Sequence, residues 1–297
     1  MELRDIEIFL TLAEELHFGR TAVRLRITPA RVSQVIKKQE RRIGADLFER
    51  TSRAVRLTPL GEQLRDDLHP IYHGLKESVE RARRTARGIT RVLRVGMIPS
   101  NAHDLRPFWD AFRSRHPHWG LQIRHATFVD PFGGLRRSEV DILIAWLPVE
   151  EPDLTVGPVI CTEGRVLAVA ARHQLTDRGS VSLEALADFG VLASVVPVPQ
   201  YWEDAFVPFH TPNGRPIERA PVIANLDELY TIVGAGEAVN SLGDHVTRYH
   251  ARPGISYLPI HDAPPLRWGL VWRSDAENDL IRAFAQVVRD LGVFRES

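Results

Sequence analysis

The sequence has one cysteine, Cys161, among its 297 residues. One thiol cannot form an intramolecular disulfide, and there is no cysteine pair to hold zinc or to act as a redox switch. A lone cysteine is more often a small buried hydrophobe than a sensor, and we interpret Cys161 in that way. We therefore predict neither a metal site nor a cofactor.

Long apolar runs are also missing. A membrane-spanning helix needs about 20 apolar residues in succession, and no stretch approaches that length. The first apolar run, MELRDIEIFLTLAEELHF, is interrupted by charged residues from Arg4 to Glu15, so it does not have the form of a signal peptide. These features predict a cytoplasmic protein with no membrane partner.

An excess of one charge over the whole chain is lacking too, because 38 basic side chains balance 38 acidic ones. The balance conceals an asymmetry. Residues 1–90 carry 18 Lys/Arg and 13 Asp/Glu, whereas residues 91–297 carry 20 and 25. This distribution indicates a module that faces nucleic acid, joined to a domain with another task.

Catalytic and metal-binding motifs are not apparent. The turn GAGE at 234–237 lacks a phosphate-binding fingerprint, and the sequence has no P-loop and no G-x-S-x-G motif. His69 and His73 lie one helical turn apart, and His116 and His118 are close in sequence, but neither pair has the further ligands that a zinc site requires. We interpret them as surface histidines and predict that the protein is not an enzyme.

The first 58 residues contain three helical patterns. Apolar residues recur at helical spacing from Leu3 to Leu16, and a short second pattern ends at Leu25. In the third, Thr28 is a predicted N-cap with Pro29 at the first helical position, and Gly44 is the predicted stop. The predicted buried stripe of this third helix consists of Val32, Val35, Ile36 and Ile43. Two short runs on either side of Thr51-Ser52-Arg53 then predict a two-stranded wing.

Basic residues are concentrated on this third helix and on the wing. Residues 20–56 hold 11 Lys/Arg, opposed only by Glu40, Asp46 and Glu49. One such residue would be an ordinary solvated charge, but the set has the electrostatic pattern of a surface that binds a phosphate backbone. A helix of this size fits the major groove, where Arg pairs with guanine and Gln with adenine. The predicted DNA-contacting residues are Thr28, Pro29, Ala30, Arg31, Ser33, Gln34, Lys37, Lys38, Arg50 and Arg53.

A long helix is predicted from Pro59 to about Thr90, with Thr58 as its cap. Its apolar positions follow at spacings of three and four and form a narrow seam, which is typical of a helix that pairs with a second helix. Packing on its own domain is the alternative. Pro70 lies inside the pattern and is expected to kink the helix or shift its start. The seam consists of Leu60, Leu64, Leu68, Ile71, Leu75, Val79, Ala82 and Ala86.

From residue 91 onward, strand patterns alternate with helical ones. The runs VLRVGMI, LQIRHAT and VDILIAWL read as strands, with a helix near Asp104 to Arg115 between the first two. Later runs predict a short helix capped by Ser182, a strand in LRWGLVWRS, and a last helix from Ala276 to Leu291. Such alternation predicts α/β layers with largely parallel sheets.

Residues 1–62 resemble the N-terminal domain of LysR-type transcriptional regulators. The pieces FGRTAVRL, ARVSQVIKKQERRIGADLFERT and VRLTPLG carry the resemblance, which continues more weakly through LRVGMIPS, VDILIAWLP, LYTIVGAGEAV and RWGLVW. The chain departs from the family at Pro29, Arg31 and Gln39, where members often have a polar residue, an alanine and a leucine.

The resemblance implies a fold of class α/β with an all-α, winged N-terminal domain. It implies a winged helix-turn-helix at 1–58, a dimerising linker helix at 59–90, and an effector-binding domain of periplasmic-binding-protein type at 91–297. That domain is divided into subdomain I, 91–161 with 268–297, and subdomain II, 162–267, joined by two crossover strands. The implied partners are double-stranded DNA, a second copy or three further copies of the chain, a small-molecule effector, and RNA polymerase.

The resemblance places the effector between the two subdomains. The loop MIPSNAHD joins a strand to a helix, so free backbone N–H groups near Ser100 to His103 would suit an anion such as a carboxylate. The tryptophans nearby favour an aromatic or apolar ligand instead, although buried aromatics are more often core. The candidate effector residues are Pro99, Ser100, Asn101, Thr127, Phe128, Trp146, Pro199, Tyr201 and Trp202.

The predicted function is transcriptional regulation in which a small-molecule effector modulates operator binding or promoter activation. The alternative is a small-molecule-binding α/β protein without gene control. The basic N-terminal module speaks against that alternative. An enzyme is the third possibility, and the absence of a catalytic constellation speaks against it.

Overall fold

The computed structural model describes residues 2–50, 55–86 and 88–295. The chain divides into two compact units, Met1–Gly88 and Ile89–Ser297. Among the described residues, no helix is both long enough and apolar enough to span a membrane.

The first unit consists of helices and a two-stranded ribbon. The ribbon strands are antiparallel, with Phe48 opposite Leu57, and apolar side chains of the helices and ribbon form one core that includes Phe9, Val32 and Ile36. Its elements are α1 (Leu3–Glu15), α2 (Phe18–Leu25), α3 (Pro29–Ile43), β1 (Phe48–Arg50), β2 (Val55–Leu57) and α4 (Pro59–Ala86). The predicted helices and wing strands are confirmed, while the turn at Thr51-Ser52-Arg53 lies outside the described residues.

The start and stop of α3 follow the predicted capping. The Thr28 hydroxyl accepts a hydrogen bond from the Arg31 backbone N–H at 3.2 Å, and Pro29 is the first helical residue. Gly44 ends the helix in the left-handed region with φ of 89°, a conformation that glycine adopts without steric cost. A three-residue turn separates α2 from α3, as in a helix-turn-helix.

The buried side of α3 differs from the prediction in two respects. Ile43 is 39% exposed and does not belong to the buried stripe. Gln39 and Glu40 are buried instead. The Gln39 amide N–H donates to the Asp5 carbonyl at 2.7 Å, while its amide oxygen has no partner among the described residues, and the Glu40 carboxylate accepts the Leu47 backbone N–H at 3.2 Å. A polar side chain can be buried when its polar atoms have partners, and a hydrophobic pattern does not reveal such partners.

Helix α4 uses its apolar residues in two different ways. Leu64, Leu68 and Tyr72 pack against the core of the first unit. The first half of the helix therefore packs on its own domain, which was the alternative to pairing with a second helix. Ile71 and the residues that follow on its face are exposed. Pro70 lies within the helix, which begins at Pro59 as predicted, so of the two effects expected of this proline the shift of the helix start does not occur.

The second unit contains a six-stranded sheet in the order β13-β6-β12-β5-β3-β4. Strands β3, β4 and β5 are mutually parallel, whereas β12 runs antiparallel to both β5 and β6. The elements of this part are β3 (Arg91–Met97), α5 (Arg106–Arg115), β4 (Trp119–His125), α6 (Gly133–Arg136), β5 (Ile142–Trp146), β6 (Leu154–Glu163), β12 (Leu266–Arg273), α11 (Asp279–Leu291) and β13 (Phe294–Arg295).

The remaining elements form a second α/β part around a three-stranded sheet, β10-β7-β11, and a two-stranded sheet, β8-β9. They are β7 (Arg165–Ala170), α7 (Leu186–Phe189), β8 (Val191–Ser194), α8 (Gln200–Phe206), β9 (Arg219–Ile223), α9 (Leu226–Ala235), β10 (Asn240–Gly243), α10 (Val246–Tyr249) and β11 (Ile255–Pro259). The chain passes between the large sheet and the three-stranded sheet twice, from β6 to β7 and from β11 to β12.

The prediction of largely parallel sheets was only partly correct. In the three-stranded sheet both β10 and β11 run antiparallel to β7. The two passages explain part of this arrangement, because a chain that leaves one sheet along β6 and returns along β12 brings these two strands together in opposite directions. A local hydrophobic pattern does not contain the direction of such a return.

Candidate DNA interface and ligand cavity

One side of α3 is exposed and basic. The side opposite the core presents Arg31, Gln34, Lys37 and Lys38 to solvent, with Ser33 partly exposed at its border. Thr28, Pro29 and Ala30 are exposed at the start of the helix. The structure therefore brings these predicted DNA-contacting residues together on one surface.

The basic residues of the first unit fall into two groups. Arg20 and Arg24, on α2, pair with the Glu15 carboxylate at 3.3 and 2.9 Å. In contrast, Arg31, Lys37 and Lys38 form no ion pair with any residue in the described part of the chain. Phosphate contacts draw on cations that protein carboxylates do not already neutralise, so α3 rather than α2 carries the available charge.

The wing carries the other basic residues of the candidate DNA interface. Arg50 is the last residue of β1, and Arg53 lies outside the described residues. Arg56, in the middle of β2, is exposed. Helix α4 approaches the start of the wing so closely that a Cβ on Gly61 would lie 2.1 Å from the carbonyl oxygen of Leu47, the residue before β1.

The second unit contains a cavity of about 380 Å³, within the range of small-molecule sites. Its walls come from the ends of β3, β4 and β5 on one side, and from β8, α8, β9, α9 and β10 on the other. Five aromatic side chains line it: Phe128, Trp146, Trp202, Phe206 and Trp268.

Six of the nine predicted effector residues line this cavity: Pro99, Ser100, Thr127, Phe128, Trp146 and Trp202. Asn101, Pro199 and Tyr201 do not. The Tyr201 hydroxyl donates to the Glu151 carboxylate at 2.9 Å, and burial raises the pKa of that hydroxyl to about 12. Asn101 is fully buried, and its amide has no hydrogen-bond partner within the described residues.

The helix predicted near Asp104 to Arg115 is present but begins two residues later than expected, at Arg106. Residues 101–105 form turns in which the Asp104 N–H donates to the Asn101 carbonyl at 3.0 Å, and α5 begins only at Arg106. The Ser100 hydroxyl lies 2.8 Å from Nε2 of His250. His250 is 150 residues further along the chain.

Three side-chain interactions join this loop to α10. Besides the Ser100–His250 hydrogen bond, the Asp104 carboxylate accepts from the Arg248 guanidinium at 2.8 Å and from the Tyr249 hydroxyl at 2.8 Å. Burial is the main cause that lowers the pKa of His250. The imidazole is therefore favoured in its neutral form, which can share a single proton with the Ser100 hydroxyl.

The charged side chains of the cavity occur beside opposite charges. Arg219 donates to the Glu203 carboxylate at 2.8 Å and also to the Val207 carbonyl. Asp227 accepts from Arg252 at 2.6 Å. Burial lowers the pKa of Arg219.

A buried carboxylate stands behind the cavity at the passage from β6 to β7. Glu163 is 2% exposed and accepts the backbone N–H of His245 at 2.8 Å and its ring Nδ1 at 2.9 Å. Its other oxygen accepts the Trp268 indole N–H. These bonds fix the orientation of the His245 ring, which lines the cavity.

Sequence reasoning missed Glu203, Arg219, His245 and His250. They come from α8, β9 and the two ends of α10, and no spacing in the sequence links them. Only Trp202, one residue before Glu203, pointed to this part of the chain.

A helix-turn-helix with an exposed basic helix, on a chain that also holds an α/β unit with a cavity, defines the class of ligand-responsive DNA-binding proteins. Residues 3–62 match the family profile described as bacterial regulatory helix-turn-helix protein, lysR family, and residues 86–292 match that of the LysR substrate binding domain. The chain belongs to the LysR family of transcriptional regulators.

Relatives agree with this assignment over almost the full chain. The transcriptional regulator AlsR of Bacillus subtilis is 27% identical, over 97% of this chain and 95% of its own length. The regulator IlvR of Caulobacter vibrioides is 27% identical, over 98% and 99%. Full-length CbnR, solved in complex with its target DNA, shares the fold with a TM-score of 0.57 and 21% identity, over 98% of this chain and 100% of that one.

Proposed function

We propose that the exposed side of α3 binds the major groove of an operator and that the cavity of the second unit binds the effector that modulates this binding. The observation that carries the proposal is the set of cations on α3, Arg31, Lys37 and Lys38, without acidic partners in the described part of the chain. Unpaired cations on one side of a capped helix suit a polyanion.

We assign different tasks to the residues of this helix. Arg31, Ser33, Gln34 and Lys37, from the first half of the helix, face the base edges, because the N-terminal half of a recognition helix contacts the bases. Thr28, Pro29 and Ala30 form the start of the helix and so determine how far its N-terminus reaches into the groove. Lys38 contacts the phosphate backbone, as do Arg50 and Arg53 of the wing.

We further propose that the chain acts as a dimer or tetramer held together through α4. Ile71, Leu75 and Val79 follow one another at intervals of four and are 68%, 43% and 46% exposed. Residues at this spacing share one side of a helix. A second copy of α4 would cover them and would present a second recognition helix to the other half of a dyad-symmetric operator.

The remaining partners follow from the regulator function. A metabolite bound in the cavity changes operator affinity when it binds one arrangement of the oligomer more tightly than another. RNA polymerase is the proposed partner of the DNA-bound oligomer where the outcome is activation. A DNA ligand also supports the predicted cytoplasmic location.

Footprinting on the DNA upstream of the protein's own gene tests the proposal. We expect protection of a dyad-symmetric site and a change in its pattern or affinity when the responsible member of a metabolite panel is added. Complete absence of protection at low salt would contradict the regulator function and favour a small-molecule-binding protein without gene control.

A further inference from the structure

We propose that the effector of this chain is an uncharged, ring-bearing molecule. This inference rests on the proposed function of the cavity as the effector site. It concerns what the cavity accepts, and four observations carry it: the apolar walls, the paired Arg219, the opposite charges buried behind the walls and the neutral histidine beside Ser100.

The walls favour a flat apolar body. Trp146 and Trp202 form one stacked surface, and Phe206 lies 4.4 Å from Trp146 between ring centroids. Apolar residues such as Leu192 and Leu242 complete the lining. Ring systems gain both from the burial of apolar area and from offset or edge contacts with aromatic side chains.

Arg219 is the cation of the lining that an acidic ligand would require, but it is already neutralised. Glu203, which also lines the cavity, accepts from it at 2.8 Å. A ligand carboxylate would therefore lie near a second carboxylate, and like charges at such a site disfavour each other. The Arg219 Nε–H has no acceptor within the described residues, but the atom is itself buried, so it does not present a cationic donor on the cavity wall.

The buried charges behind the walls also balance. Arg165 is 5% exposed, and its guanidinium donates to the Ser241 hydroxyl at 2.9 Å. It follows Glu163, also buried, by two residues across the passage from β6 to β7. The Glu163 carboxylate is satisfied by N–H donors of His245 and Trp268. The two residues carry opposite formal charges, so together they add no net charge behind the walls.

The histidine beside the Ser100 loop does not supply a cation for an anionic ligand. Its ring Nε2 lies 2.8 Å from the Ser100 hydroxyl. His250 packs against Tyr230, with ring centroids 5.2 Å apart. The groups that face His250 also include His125, His245, Arg252 and Asp227, and burial favours its neutral form.

A matched pair of dyes tests the proposal on the full-length protein. N-phenylnaphthylamine is uncharged, and anilinonaphthalene sulfonate has the same rings with one sulfonate added. Both become fluorescent in apolar surroundings, and energy transfer from Trp146, Trp202 and Trp268 reports binding next to these lining residues. At about pH 8, where an ordinary histidine is uncharged, we expect the neutral dye to bind at least about tenfold more tightly.

Two substitutions make the test specific. Ala193→Phe, at a partly exposed lining position on β8, should fill the cavity and abolish energy transfer to either dye. Glu203→Gln should leave the Arg219 charge uncompensated, so that the sulfonate dye gains about tenfold in affinity while the neutral dye changes by less than about threefold. Glu237→Gln, at an exposed position after α9, is the matched control and should change neither affinity. Circular dichroism checks the folding of each variant.

The outcomes test the ligand class of the cavity separately from the proposed regulator function. Equal or tighter binding of the sulfonate dye to the unmodified protein would overturn the inference, and so would dye binding that Ala193→Phe leaves intact or the absence of binding by either dye. These results stand even if Glu203→Gln does not fold. Loss of operator binding in a gel shift with the same preparation would instead contradict the proposed function, with the ligand class of the cavity unaffected.

Discussion

The indole rings of Trp146 and Trp202 stack with their centroids 3.4 Å apart, and each ring N–H donates to the backbone carbonyl of the other residue. Trp146 ends β5 of the large sheet, and Trp202 lies on α8 of the second α/β part. The pair therefore ties the two sides of the cavity together while forming part of its wall. Its two hydrogen bonds are 2.9 and 3.1 Å long.

We expect Trp202→Phe to lower the free energy of unfolding of the second unit by about 3 kcal/mol. The change removes one buried hydrogen bond and part of a fully buried ring. All six tryptophans lie between residues 109 and 272, so tryptophan fluorescence in urea reports this unit. Trp119→Phe, at a partly exposed position in β4, is the control and should cost less than half as much. Equal losses would show that the reciprocal bonds contribute little.

Arg31→Ala and Gln34→Ala should reduce the preference for the operator over random DNA, by about 1–3 kcal/mol for each bidentate pair of hydrogen bonds to a base that the substitution removes. Lys38→Ala should weaken binding to all sequences and reduce the slope of affinity against salt by about one ion. Gel-shift titrations at fixed and varied salt measure both effects. Arg24→Ala, which removes a cation paired with Glu15, is the control and should have little effect. Equal losses on operator and random DNA for all three α3 variants would contradict these assignments.

The exposed side of α4 predicts the oligomeric state. Ile71→Glu combined with Leu75→Glu should raise the dissociation constant of the dimer at least about tenfold, because two charges would enter a buried apolar seam. Since both positions are exposed within one chain, the stability of that chain should change by only about 0.5 kcal/mol. Sedimentation velocity measures the first effect and urea unfolding the second. Gln63→Glu adds a charge at another exposed position of the helix, and an equal effect of that change would argue against the seam.

The stability of the second unit should fall as the pH falls below about 6.5, the ordinary histidine value. Burial lowers the pKa of His250, so the unfolded chain binds a proton more readily than the folded one. The contribution of a neutral His250 is therefore fully present above its unfolded pKa and is lost as the pH falls toward its folded pKa. His250→Gln keeps a hydrogen-bonding group beside Ser100 and should flatten the decrease in unfolding free energy between about pH 7 and pH 5.

Exposed His118→Gln is the control for that measurement and should leave the pH profile unchanged. Burial also lowers the pKa of His173, so part of the decrease should survive in the His250 variant and disappear only when His173→Gln is added. An unaltered profile in the double variant would show that other groups cause the pH dependence.

The helices of the first unit were predictable because their determinants are local. Thr28, Pro29 and Gly44 act on the backbone within one turn of themselves, and the apolar spacing of α1 and α3 is a property of short segments. The exposure of Ile43 and the burial of Gln39 were not predictable in this way. They depend on what a neighbouring helix offers, such as the Asp5 carbonyl.

The residues that line the cavity also fall into a predictable group and an unpredictable group. Pro99, Ser100, Thr127, Phe128, Trp146 and Trp202 were found because the family resemblance places the effector beside these segments, most of which follow strands, where ligand sites of α/β folds are formed. Arg219, Glu203 and His250 have no local signal in the sequence. Their roles depend on hydrogen bonds and ion pairs with residues that are distant along the chain. The Ser100 hydroxyl shows the same dependence, because its partner His250 directly follows α10.

By itself, the sequence determined the helix-turn-helix, the basic surface of α3 and the family, since each depends on residues close together in the chain. Only the tertiary structure decided which cations remain unpaired, which part of the α4 seam is exposed, and how the charges around the cavity are balanced. The physical reason is that charge compensation and burial depend on distances in space. Around the cavity those distances follow from two passages of the chain between sheets, and in the first unit from the packing of its helices, and no local pattern encodes either.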